Sequence, residues 1–235
     1  MYSFRNDPGA DGVGVACCDA VAPDGGRLDL TLGVSDGWRA PDWDQIEADL
    51  GVPVFNAYQV HGTRVLVVDA SSDPEAVAAE QADALVTADR RVAVAVRVAD
   101  CVPVLFADSE AGVVGAAHAG RVGLGAGVLS ATVAAMTGLG AGRIRAWIGP
   151  HICGDCYEVP ADLQAEYCRT LPAAAAATSW GTPSLDLGAA AARQLAELGC
   201  EVVRVDPCTR TTPTLHSYRR DGAASGRQAA MVWLP

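Results

Sequence analysis

Three short runs of β-branched apolar residues follow one another in the middle of the chain, and they constrain its fold more than any other feature. They cover residues 92–98, 102–107 and 113–117. Each run is too short and too rich in valine for a helix, and unbroken apolar character is typical of strands buried on both faces. We therefore expect these runs to form the centre of a sheet.

The flanking segments predict helices packed outside a mixed sheet, in an α/β (α+β) fold. Shorter β-type runs should form an antiparallel meander over residues 12–17, 28–32, 54–60 and 64–68. Helices are predicted over residues 41–50, 124–136 and 187–198, and Gly199 closes the last of them. Strand-like segments that alternate with these helices cover residues 144–148 and 202–205.

Composition and charge narrow the functional classes. The 235 residues, 50% of them apolar, fit a single domain over residues 1–235 with one sizeable core. The net charge of -11 would repel nucleic acids and anionic membranes, so we expect a small-molecule substrate. A signal peptide pattern and an apolar run of roughly 20 residues are both missing, which predicts a cytoplasmic protein with free thiols.

A hairpin between the second and third valine-rich runs would bring a thiol and an imidazole together. With the turn centred near Ser109 and Glu110, Cys101 and His118 lie opposite each other. Cross-strand Cβ atoms are about 4.5–5.5 Å apart. That distance suits two ligands of one metal ion, or a Cys thiolate activated by an imidazole.

His61 is a third candidate ligand, because it lies in a turn between two β-type runs. Two His and one Cys suit Zn²⁺, and three protein ligands leave one position for water or substrate. The residues alone leave an alternative open, in which His61 is an ordinary turn residue and Cys101 a small core hydrophobe.

Three other segments carry polar groups. The glycine-rich segment 119–127 leads from a strand into a helix, where free N–H groups and Arg121 can bind phosphate or carboxylate; it can equally be a tight connection. The Cys-x-x-Cys at 153–156 lacks a second pair, so we expect a structural role, with Glu158 as a possible substrate contact or acid–base group. A basic and aromatic cluster containing Arg220 can hold an anion or form surface ion pairs.

Seven ordered motifs in these same segments resemble the laccase-domain family, also called the peptidoglycan editing factor family. The motifs are Gln59-Val60-His61-Gly62, residues 82–87, Ala99-Asp100-Cys101-Val102-Pro103, residues 115–120, Ile148-Gly149-Pro150, Cys156-Tyr157-Glu158-Val159, and residues 217–222 followed by 226–228. The resemblance covers the chain from about Leu28 to its end.

The resemblance implies both a site and a fold. The family's metal ligands map onto His61, Cys101 and His118, which implies one Zn²⁺ per chain. Its fold is a layered α/β/β/α sandwich, similar to the catalytic domain of cytotoxic necrotizing factors. Family activities include purine nucleoside phosphorolysis, adenosine deamination and methylthioadenosine phosphorolysis, and bacterial members are linked to editing of a muramyl cell-wall precursor.

Two features depart from what the family pattern and name suggest. The family usually has Trp-Arg where Arg121-Val122 stands here, so the arginine is displaced and the aromatic side chain is missing. A multicopper oxidase needs a trinuclear cluster with many imidazoles, whereas this chain has 4 His. We therefore expect no copper cluster.

Three hypotheses follow for the function. The first is a zinc-dependent purine nucleoside phosphorylase, with phosphate bound near Arg121 and with deaminase and methylthioadenosine phosphorylase side activities. The second is a Cys101–His118 dyad that cleaves an amide in muramyl precursors. The third is a binding protein that uses the same pocket without turnover.

Overall fold

Two β-sheets packed face to face form the middle of the structure. The computed structural model describes residues 1–9, 12–32 and 40–235. Its strands are β1 (Tyr2–Asn6), β2 (Gly14–Cys18), β3 (Val54–Phe55), β4 (Val65–Val67), β5 (Ala84–Thr87), β6 (Ala93–Val98), β7 (Val102–Asp108), β8 (Val113–Ala119), β9 (Arg145–Ile148), β10 (Ala175–Ala177), β11 (Pro183–Leu185), β12 (Glu201–Arg204) and β13 (Gln228–Trp233). Its helices are α1 (Trp43–Leu50), α2 (Pro74–Ala79), α3 (Arg121–Ala126), α4 (Val128–Gly138), α5 (Ala161–Thr170), α6 (Leu187–Glu197) and α7 (Tyr218–Asp221), with 3₁₀ turns at Pro172–Ala174 and Gly222–Ala224.

Both large sheets mix parallel and antiparallel neighbours. One has the strand order β1-β2-β13-β6-β3 and the other the order β12-β9-β7-β8-β5-β4, while β10 and β11 form a separate two-stranded ribbon. Parallel pairs occur in each large sheet, between β3 and β6, between β4 and β5, and between β12 and β9. The predicted α/β class with a mixed sheet is confirmed.

Alternating side chains along the strands sort into three cores, which gives the α/β/β/α layering. Val94 of β6 and Leu105 of β7 belong to the core that lies between the two sheets. Ala95 faces the other way and packs in a cluster with Trp43 of α1. Phe106 lies on the outer face of the six-stranded sheet, in the cluster that contains residues of α4 and α6. Each sheet is therefore covered on both faces, as the unbroken apolar runs predict.

The three central runs are all strands, but they do not share one sheet. β7 and β8 lie in the middle of the six-stranded sheet, whereas β6 pairs with β13 and β3 in the other sheet. The expectation of one common sheet is wrong, because the chain crosses between the sheets at residues 99–101. Apolar patterning shows that a strand is buried but carries no information about its partner.

The predicted antiparallel meander in the first third of the chain is also wrong. Among the described residues there, β1 and β2 are the one pair of strands that runs antiparallel, while β3 and β4 each pair in parallel with a later strand. Residues 28–32 form no strand; Leu28 and Leu30 are buried in the cluster with α1 instead. Within the described residues, the structure has no helix long and apolar enough to cross a membrane.

Candidate metal centre and pocket

The crossing between the two sheets places Cys101 at the start of β7. Asp100, which precedes it, has a φ of 93°, a left-handed conformation that is costly for a residue other than glycine. Its carboxylate accepts hydrogen bonds from the Thr209 hydroxyl at 2.6 Å and from the Arg219 backbone N–H at 2.5 Å. Its carbonyl accepts the Ile152 N–H at 3.0 Å. These bonds hold the strained crossing, and Cys101 with it.

The β7–β8 register differs from the prediction by two residues. His118 pairs with Pro103, and Val102 pairs with Ala119, because the connecting loop covers residues 109–112 rather than centring on Ser109 and Glu110. Cys101 therefore lies just beyond the paired residues, opposite Gly120. A shift of two residues keeps each side chain on its face, since side chains alternate with a period of two. The thiol and the imidazole meet despite the wrong register.

Gly120 leaves the space that the three side chains occupy. A Cβ atom at this position would lie 2.5 Å from Cδ2 of His61 and 3.1 Å from Sγ of Cys101. A contact of 2.5 Å is far inside van der Waals distance, so the side chain of His61 would have to move. The sequence predicts a tight connection or an anion site at this glycine, whereas its closest neighbours are two of the candidate ligands.

Asp83 positions the imidazoles of His61 and His118 through hydrogen bonds. Its side chain is fully buried and accepts hydrogen bonds from the backbone N–H groups of Val60 at 3.1 Å, His61 at 2.9 Å and Gly62 at 2.7 Å. These bonds hold the turn in which His61 has a φ of 61°. The same carboxylate contacts Nδ1 of His118 at 2.8 Å, which directs Nε2 of His118 toward the site.

The three candidate ligands converge on one point. Sγ of Cys101 lies 3.7 Å from Nε2 of His61, and the two imidazole rings are 4.8 Å apart at 70° to each other. One ligand atom from each residue lies within 4.8 Å of the other two. Tetrahedral zinc with Zn–S and Zn–N bonds of about 2.3 and 2.0 Å separates its ligand atoms by roughly 3.5 Å. This group can therefore hold a metal ion.

Cys101 and His118 shift each other's protonation. Burial raises the pKa of the Cys101 thiol, but the charge of His118 and hydrogen bonds from both imidazoles outweigh burial and lower that pKa to about 6. Burial lowers the pKa of His118, while the charge of Cys101 and the hydrogen bond to Asp83 raise it to about 9. Near neutral pH, the metal-free pair is therefore a thiolate beside an imidazolium.

A cavity of about 640 Å³ opens above this group, within the range of small-molecule sites. Most of its polar lining is cationic or phenolic, and the residues concerned are Arg97, Arg121, Arg219, Arg227, Tyr58, Tyr157 and Tyr218. Four arginines around one cavity contrast with the net charge of -11 for the whole chain. The cavity is therefore suited to an anionic or polar ligand of nucleoside size.

Arg97 is the most buried of these cations. Its side chain is 7% exposed, one guanidinium N–H donates to the Ala57 carbonyl at 2.9 Å, and Nε is buried without a hydrogen-bond partner among the described residues. Burial and, next, repulsion from Arg227 lower the pKa of Arg97 to about 10. A buried donor without an acceptor is costly, so an anion bound here would relieve both effects.

The predicted substrate contacts separate into two groups. Arg121 lines the cavity as the first residue of α3, and Tyr167 fixes it by donating to its carbonyl at 2.9 Å. Glu158 and Arg220 are not among the lining residues. The Glu158 carboxylate accepts the indole N–H of Trp180, and Arg220 donates to backbone carbonyls, including that of Leu215 at 2.7 Å.

The glycine-rich segment continues as two helices rather than the single helix predicted over residues 124–136. Helix α3 ends at Ala126, and α4 begins at Val128 after Gly127 adopts a φ of 95°. Gly123 of α3 lies against the His61 turn, because a Cβ atom there would be 2.8 Å from the Gly62 carbonyl oxygen. The short helix therefore packs on the turn that carries a candidate ligand.

Sequence reasoning missed four residues of the site, which are Asp83, Arg97, Asp100 and Arg219. Asp83 and Asp100 lie inside motifs that resemble the family, and Asp100 directly precedes the candidate ligand Cys101, which is a signal that was available. Arg219 lines the cavity and its neighbour Arg220 does not, so of the predicted basic cluster it is Arg219 that faces the pocket. Arg97 gave no signal, since it lies within an apolar run.

The two histidines outside the site hydrogen-bond to backbone carbonyls. Nδ1 of His151 contacts the Gly149 carbonyl at 2.9 Å, and Nε2 of His216 contacts the Leu28 carbonyl at 2.7 Å. All 4 His of the sequence are thus accounted for, and only two share a site. The imidazoles of this chain do not provide the ligands of a trinuclear copper cluster.

Comparison with known proteins gives consistent results. Residues 39–235 match the family described as multi-copper polyphenol oxidoreductase laccase. A protein of Streptomyces coelicolor named purine nucleoside phosphorylase is 52% identical over 179 residues, 75% of this chain and 73% of that protein. One of Mycobacterium bovis with the same name is 46% identical over 196 residues, 81% of this chain and 77% of that protein.

Solved structures share the fold over almost their whole length. Protein NMB0706 of Neisseria meningitidis, a member of DUF152, has a TM-score of 0.78 and 32% identity, covering 99% of this chain and 98% of that chain. YlmD of Geobacillus stearothermophilus has a TM-score of 0.80 and 26% identity, covering 97% of this chain and 94% of that chain.

Proposed function

Because the chain belongs to the family described as multi-copper polyphenol oxidoreductase laccase, and its relatives are named purine nucleoside phosphorylases, we propose that it is a zinc-dependent purine nucleoside phosphorylase. The observation that carries the proposal is the convergence of His61, Cys101 and His118 at the wall of an arginine-lined cavity of about 640 Å³. The proposal places the enzyme in the cytoplasm, where a free thiol such as Cys101 persists.

The three ligands hold the ion in this proposal, and their surroundings fit that role. Asp83 leaves only Nε2 of His118 available, and the thiolate form of Cys101 is the form that binds metal. When bound, zinc supplies a Lewis acid that stabilises negative charge developing on the substrate. The role of the protein is then to bind, orient and dehydrate the nucleoside and phosphate.

The cationic wall binds phosphate in this proposal. Arg97 has a buried donor without an acceptor, and Arg227 lies close enough to lower the pKa of Arg97. Phosphate between them satisfies the donor and screens the repulsion. Arg121 and Arg219 complete the wall, so phosphate is held in position to attack the ribose carbon while the purine base departs. From the C-terminal basic cluster, Arg219 rather than Arg220 lines this wall. Glu158 lies outside the cavity lining, and its carbonyl accepts a hydrogen bond from Arg219 at 2.8 Å. Arg220 donates to the backbone of the neighbouring loop, for example to the Leu215 carbonyl.

Adenosine deamination and methylthioadenosine phosphorolysis are proposed as side activities of the same site. Both substrates share the purine and ribose that the cavity accommodates. Deamination needs water in place of phosphate, and methylthioadenosine differs only at the ribose 5′ substituent. Discrimination between them rests on the lining of the cavity rather than on the three ligands.

A second candidate is an amidase that edits muramyl precursors. The observation in its favour is the protonation state of the metal-free pair, a Cys101 thiolate beside a His118 imidazolium. A thiolate can attack an amide carbonyl, and the imidazolium can give its proton to the departing amine as the C–N bond breaks; water then hydrolyses the resulting thioester and frees the thiol. Zinc bound to the thiolate would block this attack, so the two candidates make opposite predictions about metal.

Product analysis tests the proposal. Purified protein of known zinc content is incubated with inosine, with and without phosphate, and the products are identified by mass spectrometry. We expect hypoxanthine and ribose 1-phosphate only with phosphate, and neither product from Cys101→Ala. Cys168→Ser on α5 is the matched control and should retain activity.

Further substrates separate the alternatives. Adenosine that yields inosine reports deamination, and an amino acid released from a muramyl precursor by zinc-free protein reports the amidase. Nucleoside binding without turnover in both the wild type and Cys101→Ala identifies a binding protein. Phosphate-independent or absent cleavage of inosine contradicts the phosphorylase.

A further inference from the structure

Three cysteines meet next to residues that hold Asp100, since Ile152 and Thr209, which both hydrogen-bond to Asp100, are sequence neighbours of Cys153 and Cys208. Cys153 and Cys156 belong to one turn, in which the N–H groups of Cys156 and Tyr157 both donate to the Cys153 carbonyl at 3.0 Å. Cys208 comes from a loop that is 55 residues farther along the chain than Cys153. The three sulfur atoms lie within 4.8 Å of one another, and all three are free thiols.

The Cys-x-x-Cys turn is predicted from the sequence to have a structural role, because no second pair exists. The fold supplies a third thiol instead. The turn is compact enough for both of its sulfurs to face Cys208, and the Cys153 N–H donates to Sγ of Cys208 at 3.4 Å. A backbone N–H directed at sulfur stabilises a thiolate and orients it, as neighbouring groups do at metal–thiolate centres.

One cationic side chain lies beside the three thiols. The guanidinium of Arg210 donates to the Cys156 carbonyl at 3.3 Å, so a fixed positive charge lies beside the turn. Cys156 is 6% exposed, while Cys153 and Cys208 are partly exposed, which leaves a path for an ion to enter. Thiolates select soft ions, and a group of three suits Zn²⁺ with one water or trigonal Cu⁺.

We propose that Cys153, Cys156 and Cys208 form a second metal site that binds a thiophilic ion, Zn²⁺ or Cu⁺, through three thiolates. Binding releases the thiol protons to solvent and requires no oxidant. The site is independent of the His61–Cys101–His118 group and does not rest on the proposed phosphorylase activity.

An ion at this site would tie together two loops that shape the pocket. Tyr157 follows Cys156 directly and lines the cavity, and Ile152 precedes Cys153 and also lines it. Thr209 follows Cys208 and holds the carboxylate of Asp100 at 2.6 Å. The three-cysteine site therefore anchors the wall of the cavity and the strained crossing from one position.

Metal stoichiometry tests the second site in a background without the first one. The variants Cys101→Ala and Cys101→Ala/Cys208→Ser are purified anaerobically, loaded with Zn²⁺ or Cu⁺, passed through a desalting column and analysed for metal. We expect one ion per chain in the single variant and none in the double variant. Cys101→Ala/Cys168→Ser is the matched control and should keep one ion.

Cobalt supplies an independent readout of the ligands. In the Cys101→Ala background, Co²⁺ should give the near-ultraviolet sulfur-to-cobalt charge transfer of three thiolates, reduced in Cys208→Ser. An absence of bound ion in Cys101→Ala overturns the second site, whatever the activity of the wild type. An unchanged spectrum in the Cys208→Ser variant overturns it as well.

Alkylation of the wild-type protein tests the second metal site without relying on a variant that folds. Bound metal should protect Cys153 and Cys208 from alkylation by iodoacetamide, and removal of the metal with a chelator should make both reactive. Peptide mass spectrometry measures the extent of alkylation at each cysteine. Equal labelling with and without metal overturns the proposal. A disulfide within the cluster would also overturn it. Such a disulfide would appear in protein isolated without reductant as a mass lower by two hydrogens, and this protein would not take up metal.

Discussion

Single residues around the candidate ligands hold these ligands in position. Asp83 accepts four hydrogen bonds, three from the His61 turn and one from His118. Gly120 leaves room for His61, and Asp100 adopts a strained backbone conformation before Cys101. Each of these residues can be replaced without removing a candidate ligand. Variants at these positions therefore test how the candidate ligands are positioned.

The first residue-scale prediction concerns Asp83→Asn. Asparagine has one acceptor oxygen, and its NH₂ group would face backbone donors. The hydrogen bonds that hold the His61 turn and those that orient His118 would therefore be partly lost. We expect zinc affinity to fall about 10–100-fold, the usual effect of losing a partner that orients a metal ligand. Competition with a chelating dye measures the affinity. Asp89→Asn, on a surface loop, serves as the control, and equal affinity in both variants would refute the role of Asp83.

The second prediction concerns Gly120→Ala. The new Cβ would lie 2.5 Å from His61, so His61 must leave its position while the chain remains folded. We expect loss of most zinc binding and of inosine cleavage, with a far-ultraviolet spectrum like the wild type. Gly138→Ala is the matched control, since a Cβ atom at Gly138 meets nothing within 4 Å. Full zinc content in Gly120→Ala would argue against the present arrangement.

The third prediction is a pH dependence. In metal-free protein, the rate of Cys101 alkylation should rise with a midpoint near pH 6, because that is where its thiolate forms. In His118→Ala the midpoint should move up, since the charge of His118 is the main cause that lowers this pKa. A wild-type midpoint near the usual thiol pKa of about 8.5 would contradict the coupling.

The same pair makes a contribution to stability that depends on pH. The Cys101 thiolate is lost as pH falls through about 6, and the His118 imidazolium is lost as pH rises through about 9. In metal-free protein, the stabilisation from Cys101 should therefore be lost only as pH falls through about 6, and that from His118 only as pH rises through about 9, which urea unfolding at a series of pH values measures.

At the scale of elements, the β7–β8 hairpin sets the relation between Cys101 and His118. Asp108, at the end of β7, is 3% exposed and accepts N–H groups of Ala111 at 3.0 Å, Gly142 at 2.7 Å and Arg143 at 2.7 Å. The carboxylate therefore ties the hairpin loop to the connection between α4 and β9. Burial raises its pKa, but these backbone donors outweigh burial and lower it.

The fourth prediction is that Asp108→Ala destabilises the chain without emptying the metal site. Buried N–H groups left without an acceptor cost about 1–3 kcal/mol, and the hairpin loop is far along the strands from Cys101. Urea unfolding measures the loss, with Ser109→Ala as the exposed control. Because the pKa of Asp108 is lowered by folding, its contribution is present at neutral pH and is lost as acid protonates it. An unchanged midpoint would contradict the proposed tie.

The sequence predicted most elements but few of their partners. Runs of valine identified β6, β7 and β8, and helical patterning identified α1 and α6, because burial and periodicity leave a direct mark on composition. Whether β6 joins β7 in one sheet depends on three residues at the crossing, where no apolar pattern exists. The predicted hairpin register was wrong by two residues. The Asp108 carboxylate closes the loop by accepting the Ala111 N–H, and no spacing rule predicts this contact.

At the scale of the whole molecule, the two sheets place the site where their ends meet. Cys101 is the last residue of the crossing from one sheet to the other, and His118 lies near the end of β8 in the six-stranded sheet. Gln59 anchors the His61 turn to β6 through hydrogen bonds of 2.7 and 2.8 Å with the backbone of Arg97. The α/β/β/α layering thus brings three distant segments to one cavity.

The group of three candidate ligands was predictable from the sequence, whereas the cavity was not. The motifs that carry His61, Cys101 and His118 resemble a family with a known ligand set, so these residues could be named without coordinates. The cavity depends on side chains from both sheets and from the segments around α7, among them Arg97 and Arg219. Such a lining follows from how layers pack, which local sequence patterns do not encode.

The most direct test of the central claim is the anomalous diffraction of zinc-loaded crystals, collected on both sides of the zinc absorption edge. The account predicts a peak among Nε2 of His61, Sγ of Cys101 and Nε2 of His118, at about 2.0–2.3 Å from each atom. A crystal with zinc bound elsewhere, in which these three atoms are ordered around no anomalous peak, would contradict it.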